Sequence, residues 1–402
     1  MLLSRTNLVL TLLVLGCAFI SLLAMEGVLQ LIGYPAIRKS GWRWDESPYK
    51  SEANQSDRRV NQLGIRGQPI QYSDSDYVIL LLGDSYIEAG PQPFEDLPER
   101  ILEDAFKQRH PTRNVKVFSI ASAGWAQDQQ LFWLSRYFES YRADLVINWF
   151  TAVNDYWENS FIDRSVDMNG GPLKPTYRLS ADGELEFVAN PVSPVKTLEI
   201  ARKAWAKIRF GPAKDYYMHA WIAGLPDSNL VPVPRSECPG AEIPQSELMA
   251  SWLRGEGKVT AVTKGDIPVS RSIFSPFMVP RSHLEAYQIT LTHRLLAEMK
   301  RSAATHGADF RVFYPSGDDL YQALKQVACV KSEAEGKFYR YDMRDPLAFI
   351  SRSEVADLVI PVDVSTSTPT ILSSQDWHMN RAANEKAMGG LASALMRSGL
   401  IK

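Results

Sequence analysis

The sequence predicts an α/β protein: a doubly wound parallel sheet with helices on both faces, one N-terminal transmembrane helix and a large loop-rich insertion. Three observations lead there. The short run Tyr77–Leu82 is unbroken and apolar, as a strand buried on both faces is, and Val115–Ile120 and the largely apolar Leu145–Phe150 are strand candidates of similar length. Helical periodicity fills the intervals between them, and strands alternating with helices call for parallel pairing through right-handed crossovers. Finally, the chain carries no charged side chain from Thr6 to Met25, and a helix of about 20 residues spans the roughly 30 Å hydrocarbon core of a bilayer.

That first segment, residues 1–33, reads as an uncleaved signal anchor. Arg5 precedes it, Glu26 interrupts it, and the apolar pattern resumes in Val28, Leu29, Leu31 and Ile32, so the helix is expected to continue past the membrane edge. A cleaved signal has a shorter apolar stretch and a small-residue site, whereas Met25-Glu26 follows here. Val14-Leu15-Gly16-Cys17 is similar to a lipoprotein box, but the residues after Cys17 stay apolar where a lipoprotein turns polar. Arg5 on the short leading side favours a cytoplasmic amino end and an extracytoplasmic body, an asymmetry that Arg38 and Lys39 on the far side reduce.

Residues 34–75 form an irregular lead-in. The body is then divided into 76–158 and 281–402, together one α/β domain, with 159–280 as the insertion, rich in turn signals such as Gly170-Gly171, Val231-Pro232-Val233-Pro234 and Cys238-Pro239-Gly240. In the first block a helix follows Pro98, with Ile101, Ala105 and Phe106 at helical spacing, and a second runs from Gln127 to Tyr141. The second block predicts a helix from His283 to His306, a strand Phe310–Tyr314 and a helix Asp318–Val327. A strand Phe338–Tyr341, an apolar segment Leu358–Val362 and a last helix Arg381–Arg397 complete it.

Lys plus Arg is 44 and Asp plus Glu is 46, for a net charge of −2 without blocks of like charge, which excludes a nucleic-acid binder relying on a basic face. Hydrophobic residues at 45%, with 24 glycines and 24 prolines, exclude a disordered, collagenous or polytopic membrane chain. Beyond Cys17, the cysteines are Cys238 and Cys329. An oxidising compartment allows a disulfide between them, and spacing alone leaves two buried thiols equally open.

Four segments carry candidate chemistry, at the ends of predicted strands or before the last helix, where open α/β sheets place ligands. Gly83-Asp84-Ser85-Tyr86 follows the first strand, presenting a serine hydroxyl and a backbone N–H at the sheet edge; alone, the serine reads as a helix cap. Ser119-Ile120-Ala121-Ser122-Ala123-Gly124 and Ala152-Val153-Asn154-Asp155 end the second and third runs. Gly124 supplies an unobstructed N–H and Asn154 a side-chain NH₂, donors that acyl transfer needs around a developing negative charge; separately, both read as turns. In Asp376-Trp377-His378-Met379-Asn380, an Asp and a His two residues apart allow the carboxylate to orient the imidazole, which is then free to take a proton from a serine.

Taken in order, these segments resemble the SGNH hydrolase superfamily, the GDSL-type esterases. The resemblance covers 76–158 and 281–402 and implies a flavodoxin-like sheet. It implies Ser85 as nucleophile, Ser85 N–H, Gly124 and Asn154 as the oxyanion hole, His378 as general base and Asp376 as its orienting partner. It requires no cofactor and no metal. Asn61-Gln62-Leu63-Gly64-Ile65-Arg66-Gly67 is similar to a segment preceding the Gly-Asp-Ser strand in membrane-anchored members. Two positions depart from the pattern: Ala152 stands where the third block has glycine, and the usual Asp-x-x-His is one residue shorter. The shorter form resembles the alginate O-acetyltransferase-like branch, with Met379 where tryptophan is typical. The expected function is an extracytoplasmic serine esterase or O-acyltransferase, anchored in a bacterial inner membrane and acting on acylated carbohydrate alongside polysaccharide-biosynthesis partners. The competing reading is a non-catalytic assembly or binding component of a polysaccharide export system.

Overall fold

The structure is a computed structural model that describes residues 5–31, 59–90, 92–152, 155–160, 176–188, 195–198, 200–201, 204, 230–238, 242–244, 275–316, 327–332, 336–342, 344, 350–365, 371–373 and 376–401. In chain order, the first block holds α1 (Arg5–Leu31), β1 (Tyr77–Gly83), the one-turn α2 (Ser85–Glu88), α3 (Pro98–Arg109), β2 (Val115–Ala121), α4 (Gln127–Phe138), β3 (Leu145–Trp149) and α5 (Asp155–Glu158). There follow β4 (Thr176–Leu179), β5 (Leu185–Val188), β6 (Glu242–Pro244), β7 (Met278–Val279), α6 (His283–Thr305) and β8 (Asp309–Ser316). The chain ends with β9 (Val327–Lys331), β10 (Phe338–Asp342), β11 (Val359–Asp363), β12 (Ile371–Ser373), β13 (Asp376–Met379) and α7 (Arg381–Arg397).

The central sheet has five strands in the order β11-β8-β3-β1-β2. All four pairings are parallel. Its apolar runs alternate between two cores, as the two-residue period of a strand dictates. Val78, Leu80 and Leu82 enter one core with Leu131 and Leu134 of α4 and Leu291, Leu295 and Met299 of α6. Tyr77, Ile79 and Leu81 enter the other with Leu102 and Phe106 of α3 and Leu391 and Leu395 of α7. Every side chain of β1 is buried because both faces are covered.

Helix ends follow local chemistry. Ser282 caps α6 through a reciprocal pair, Glu285 N–H donating to its hydroxyl and Ser282 N–H to the Glu285 carboxylate. Asn380 caps α7 by accepting from Ala383 N–H at 3.0 Å. The helix expected to reach Tyr141 stops at Phe138, since the Tyr137 hydroxyl donates to Arg142 O at 2.7 Å and turns the chain towards β3.

Other expectations need correction. Val327, expected at the end of a helix, opens β9, and residues 317–326 lie outside the described residues. The predicted strand at Phe338 exists as β10, but it pairs in a second, four-stranded sheet of order β6-β9-β10-β7. Its ladder partners are β7 and β9, and β6 pairs with β9, so the segment read as an insertion shares a sheet with the second block. Cys238 and Cys329 form a disulfide across this sheet, with Cα atoms 5.2 Å apart.

In α1 the stretch Val9–Leu31, 23 residues, is long and apolar enough to cross a membrane and is almost uncovered by the body. At about 1.5 Å per residue it measures roughly 34 Å. Near its end the Glu26 carboxylate accepts from Lys196 N–H at 2.8 Å and Thr197 N–H at 2.7 Å, tying a short stretch of the 159–280 segment to the helix.

The disulfide closes a loop of 91 residues, and a loop of that size gives up as much as about 4.6 kcal/mol of unfolded-state entropy when cross-linked. The Cys238→Ser/Cys329→Ser double variant is accordingly expected to melt several degrees below the parent in non-reducing buffer. Thermal unfolding of the parent with and without reductant checks the same point, and identical melting curves would show that the bond adds no stability.

Candidate active site

The parallel register carries the ends of β1, β2 and β3 to one edge, with Gly83 beside Ala121 and Leu82 beside Asn148. At that edge Gly83 is required. A Cβ there would lie 2.5 Å from Ile87 Cγ1 and 3.4 Å from Trp149 Cβ, so only glycine lets the chain turn so tightly into α2. Asp84, buried, is the true cap, its carboxylate accepting from Tyr86 N–H at 2.9 Å. Ser85, read alone as a helix cap, is instead the first helical residue, and its side chain is part-buried.

The turn of α2 ends at Ala89, which adopts a left-handed conformation with φ 46°, costing about 1–2 kcal/mol in a residue with a Cβ. Arg66 holds it there. Its guanidinium, 2% exposed, donates to Ala89 O at 2.6 Å, Glu88 O at 2.8 Å and Gln92 O at 2.6 Å. The Asn61–Gly67 segment thus clamps the turn that carries Ser85. Asn61 adds a bond from Nδ2 to Ser119 O at 3.2 Å, reaching β2 as well.

The second segment is tied to the first directly: Ala123 N–H donates to the Glu88 carboxylate at 2.5 Å. Gly124 follows with φ 72°, a left-handed turn position that suits glycine, and Trp125 N–H closes the turn on Ser122 O at 3.1 Å. Asn154 lies outside the described residues, as does Val153. Their flanks are fixed: the Asp155 carboxylate accepts from Thr151 N–H at 2.8 Å and from Gln127 Nε2 at 2.6 Å. Burial, with Asp84 nearby, holds the Asp155 carboxyl well above the usual carboxylate range.

His378 is part-buried on β13 and reaches the same edge. Its ring lies 5.3 Å from that of Tyr86, the neighbour of Ser85, and Tyr86 in turn stacks on Trp149 at 5.9 Å. Asp376 and His378 occupy alternate positions of one strand, and the Asp376 backbone pairs with Ser373. The extended segment expected here is therefore one arm of a two-stranded hairpin. The structure brings Ser85, Gly124 and His378 to one region. Among the described residues no group of three His, Cys, Asp or Glu is placed to hold a metal.

Several residues that build this region were invisible to motif reading. Gln92 donates to Met379 O at 2.6 Å and accepts from Asn384 Nδ2 at 3.1 Å. Glu99 is fully buried, accepting from the Ser119 hydroxyl at 2.7 Å and Gln68 N–H at 2.6 Å. The signal for them is only a polar residue amid apolar neighbours, which also describes an exposed helix face. Comparison with known proteins gives no matching family model and no matching curated relative.

Glu99 generates a prediction. Burial pushes its carboxyl up to about 7 against an ordinary 4.5, despite the bonds from Ser119 and Gln68. The folded protein therefore holds this proton where the unfolded chain has released it. The resulting stabilisation is complete below about 4.5 and is lost as the pH rises towards about 7, a change of about 3 kcal/mol. Glu99→Gln lacks this titration, so its melting temperature should gain on the parent as the pH is raised across that window. A constant difference from pH 4.5 to 7.5 would show that Glu99 is ionised in the fold.

Proposed function

We propose that this chain is a membrane-anchored serine esterase or O-acyltransferase of the SGNH hydrolase superfamily, its body extracytoplasmic, acting on acylated carbohydrate of a cell-surface or secreted polysaccharide. One observation carries the reading: the serine and glycine segments leave adjacent parallel strands at one edge, and His378 packs against the residue next to Ser85. The sheet order, with strands added on both sides of β1 and separate helices covering each face, supports the doubly wound, flavodoxin-like form of the fold. The apolar α1 supports the anchor, and the disulfide suits an oxidising compartment.

In this reading Ser85 Oγ attacks the acyl carbon while His378 takes the hydroxyl proton, with Asp376 orienting the imidazole. The oxyanion that develops faces the N–H groups of Ser85 and Gly124 and the Asn154 amide. Collapse expels the first alcohol, protonated by His378, and leaves an acyl-serine. Water then completes hydrolysis, or a sugar hydroxyl completes transfer. The second reading is favoured by Ala152 in the glycine position and the shortened last block: a non-catalytic binding or assembly component of polysaccharide export. Reaction of the full-length protein with p-nitrophenyl acetate and a fluorophosphonate probe separates the two, because labelling at Ser85 requires an activated serine.

Triad members act as a unit, so Ser85→Ala and His378→Ala are each expected to cost several orders of magnitude in turnover, and the double variant little more than either. Asn154→Ala removes one oxyanion donor and should cost about 10²- to 10³-fold, whereas Asp376→Asn should stay folded and lose activity through the wrong tautomer. A double-mutant cycle on an acetylated sugar checks this, and fully multiplicative losses would end the triad assignment. For topology, a reporter fused after Lys402 should be active only when it reads an extracytoplasmic compartment; cytoplasmic activity would reverse the orientation.

A further inference from the structure

The strand that carries His378 lies outside the central sheet. β13 pairs with β12 in a separate two-stranded sheet, so the parallel ladder that aligns Ser85 with Gly124 does not set the distance from Ser85 to His378. Side chains must do so. Among the described residues, beside the Tyr86–His378 ring contact and the apolar packing of Met379 and Ala383 with Tyr86 and Ile87, polar ties run from Gln92 and Asp96 to the end of β13 and the start of α7. Asp96 pairs with Arg381 at 2.5 Å, but the Arg381 side chain is 62% exposed and water competes for that bond. The other tie is dry. Gln92 is 4% exposed and Asn384 is fully buried; Nε2 of Gln92 donates to Met379 O at 2.6 Å, and Oε1 accepts from Asn384 Nδ2 at 3.1 Å.

Chemistry fixes this arrangement. A backbone carbonyl can only accept, so the Gln92 NH₂ must face Met379, which leaves the oxygen for Asn384. Gln92 is itself held at its own backbone: its N–H donates to Ala89 O at 2.9 Å, and its carbonyl accepts from Arg66 at 2.6 Å. Ala89 N–H in turn donates to Ser85 O at 2.9 Å. A continuous set of hydrogen bonds thus runs from the Ser85 backbone through Gln92 to the carbonyl of Met379, the residue after His378.

We propose that Gln92 is a positioning residue whose carboxamide sets the separation of the His378 imidazole from the Ser85 hydroxyl. This rests on the catalytic reading given above. Gln92→Met keeps the volume and deletes both bonds. Gln92→Glu keeps the acceptor towards Asn384 but, when ionised, turns a carboxylate on Met379 O; when protonated it regains a donor.

The test measures p-nitrophenyl acetate kinetics and fluorophosphonate labelling of Ser85 on the full-length protein between pH 5 and 8. A misplacement of about 1 Å costs up to about 10²-fold, so Gln92→Met should lose roughly that in kcat with KM changed by less than about twofold. For Gln92→Glu, the rate divided by the parent's rate at the same pH cancels the titration of His378. That ratio should rise about tenfold or more on acidification, while the Gln92→Met ratio stays flat. Tyr137→Phe, which loses a bond remote from this edge, serves as the control for simple destabilisation. Parent-like kcat in Gln92→Met, parallel pH profiles for Gln92→Glu and the parent, or an equal loss in Tyr137→Phe would overturn the proposal. Should Gln92→Met not fold, the Gln92→Glu ratio decides alone. A parent that neither turns over the ester nor labels would instead refute the catalytic reading, and the proposal with it.

Discussion

The edge that carries Ser85 depends on one buried cation. Removing a guanidinium from water costs several kcal/mol, and Arg66 is 2% exposed. The compensation lies in three carbonyls, Glu88 O, Ala89 O and Gln92 O, at the end of a helix of a single turn. Such a turn has no second turn to take up its terminal carbonyls, and the left-handed Ala89 directs them inward together. Bonds to a charged donor contribute about 1.5–3 kcal/mol each, net of lost hydration, so three of them exceed the roughly 1–2 kcal/mol of strain at Ala89. A lysine would offer a point charge in place of a planar fork that spans several acceptors.

From that clamp the remaining ties radiate. Glu88 is held on its carbonyl by Arg66 and receives Ala123 N–H on its side chain, which joins the β1 and β2 ends. Gln92, held likewise, joins the start of α7. The central sheet supplies the frame: β1 lies between β2 and β3, so the chain leaves β1 towards one neighbour and later returns on the other side. Crevices open where the strand order reverses in this way. The rigid ladder thus aligns the first segments, and polar side chains must bring in whatever the ladder does not contain.

This division explains what was legible. The run of β1 could be read because a strand buried on both faces is continuously apolar, and β2 and β3 because Lys116, Ser119 and Asn148 are all that interrupts otherwise apolar runs of similar length. The α7 bounds could be read because Asn380 starts the helix with its own side chain. By contrast, β9 offers only Val-Ala-Cys-Val before a lysine, too short to tell from a helical turn by period. Its ladder partners β6 and β10 lie in different parts of the chain, and pairing across such distances leaves no local trace. In the site, Ser85, Gly124 and His378 stood out by residue type and place, whereas Arg66 was quoted only within a motif and Gln92 not at all. Each does its work by meeting backbone atoms, which every residue has.

The buried acids beneath the edge follow the same logic. Asp84 accepts Tyr86 N–H to start α2. Asp155 is buried near it, and two anions in one dry region cannot both keep their charge cheaply. Burial raises the Asp155 carboxyl and the nearby Asp84 adds to the rise, while the bonds from Thr151 N–H and Gln127 only partly offset it. A neutral Asp155 still accepts both bonds, so the segment after Asn154 needs no charge to be held. Moving either segment would change the environment of the other's carboxyl. The two chain segments are thereby coupled electrostatically, although no backbone hydrogen bond between them is needed.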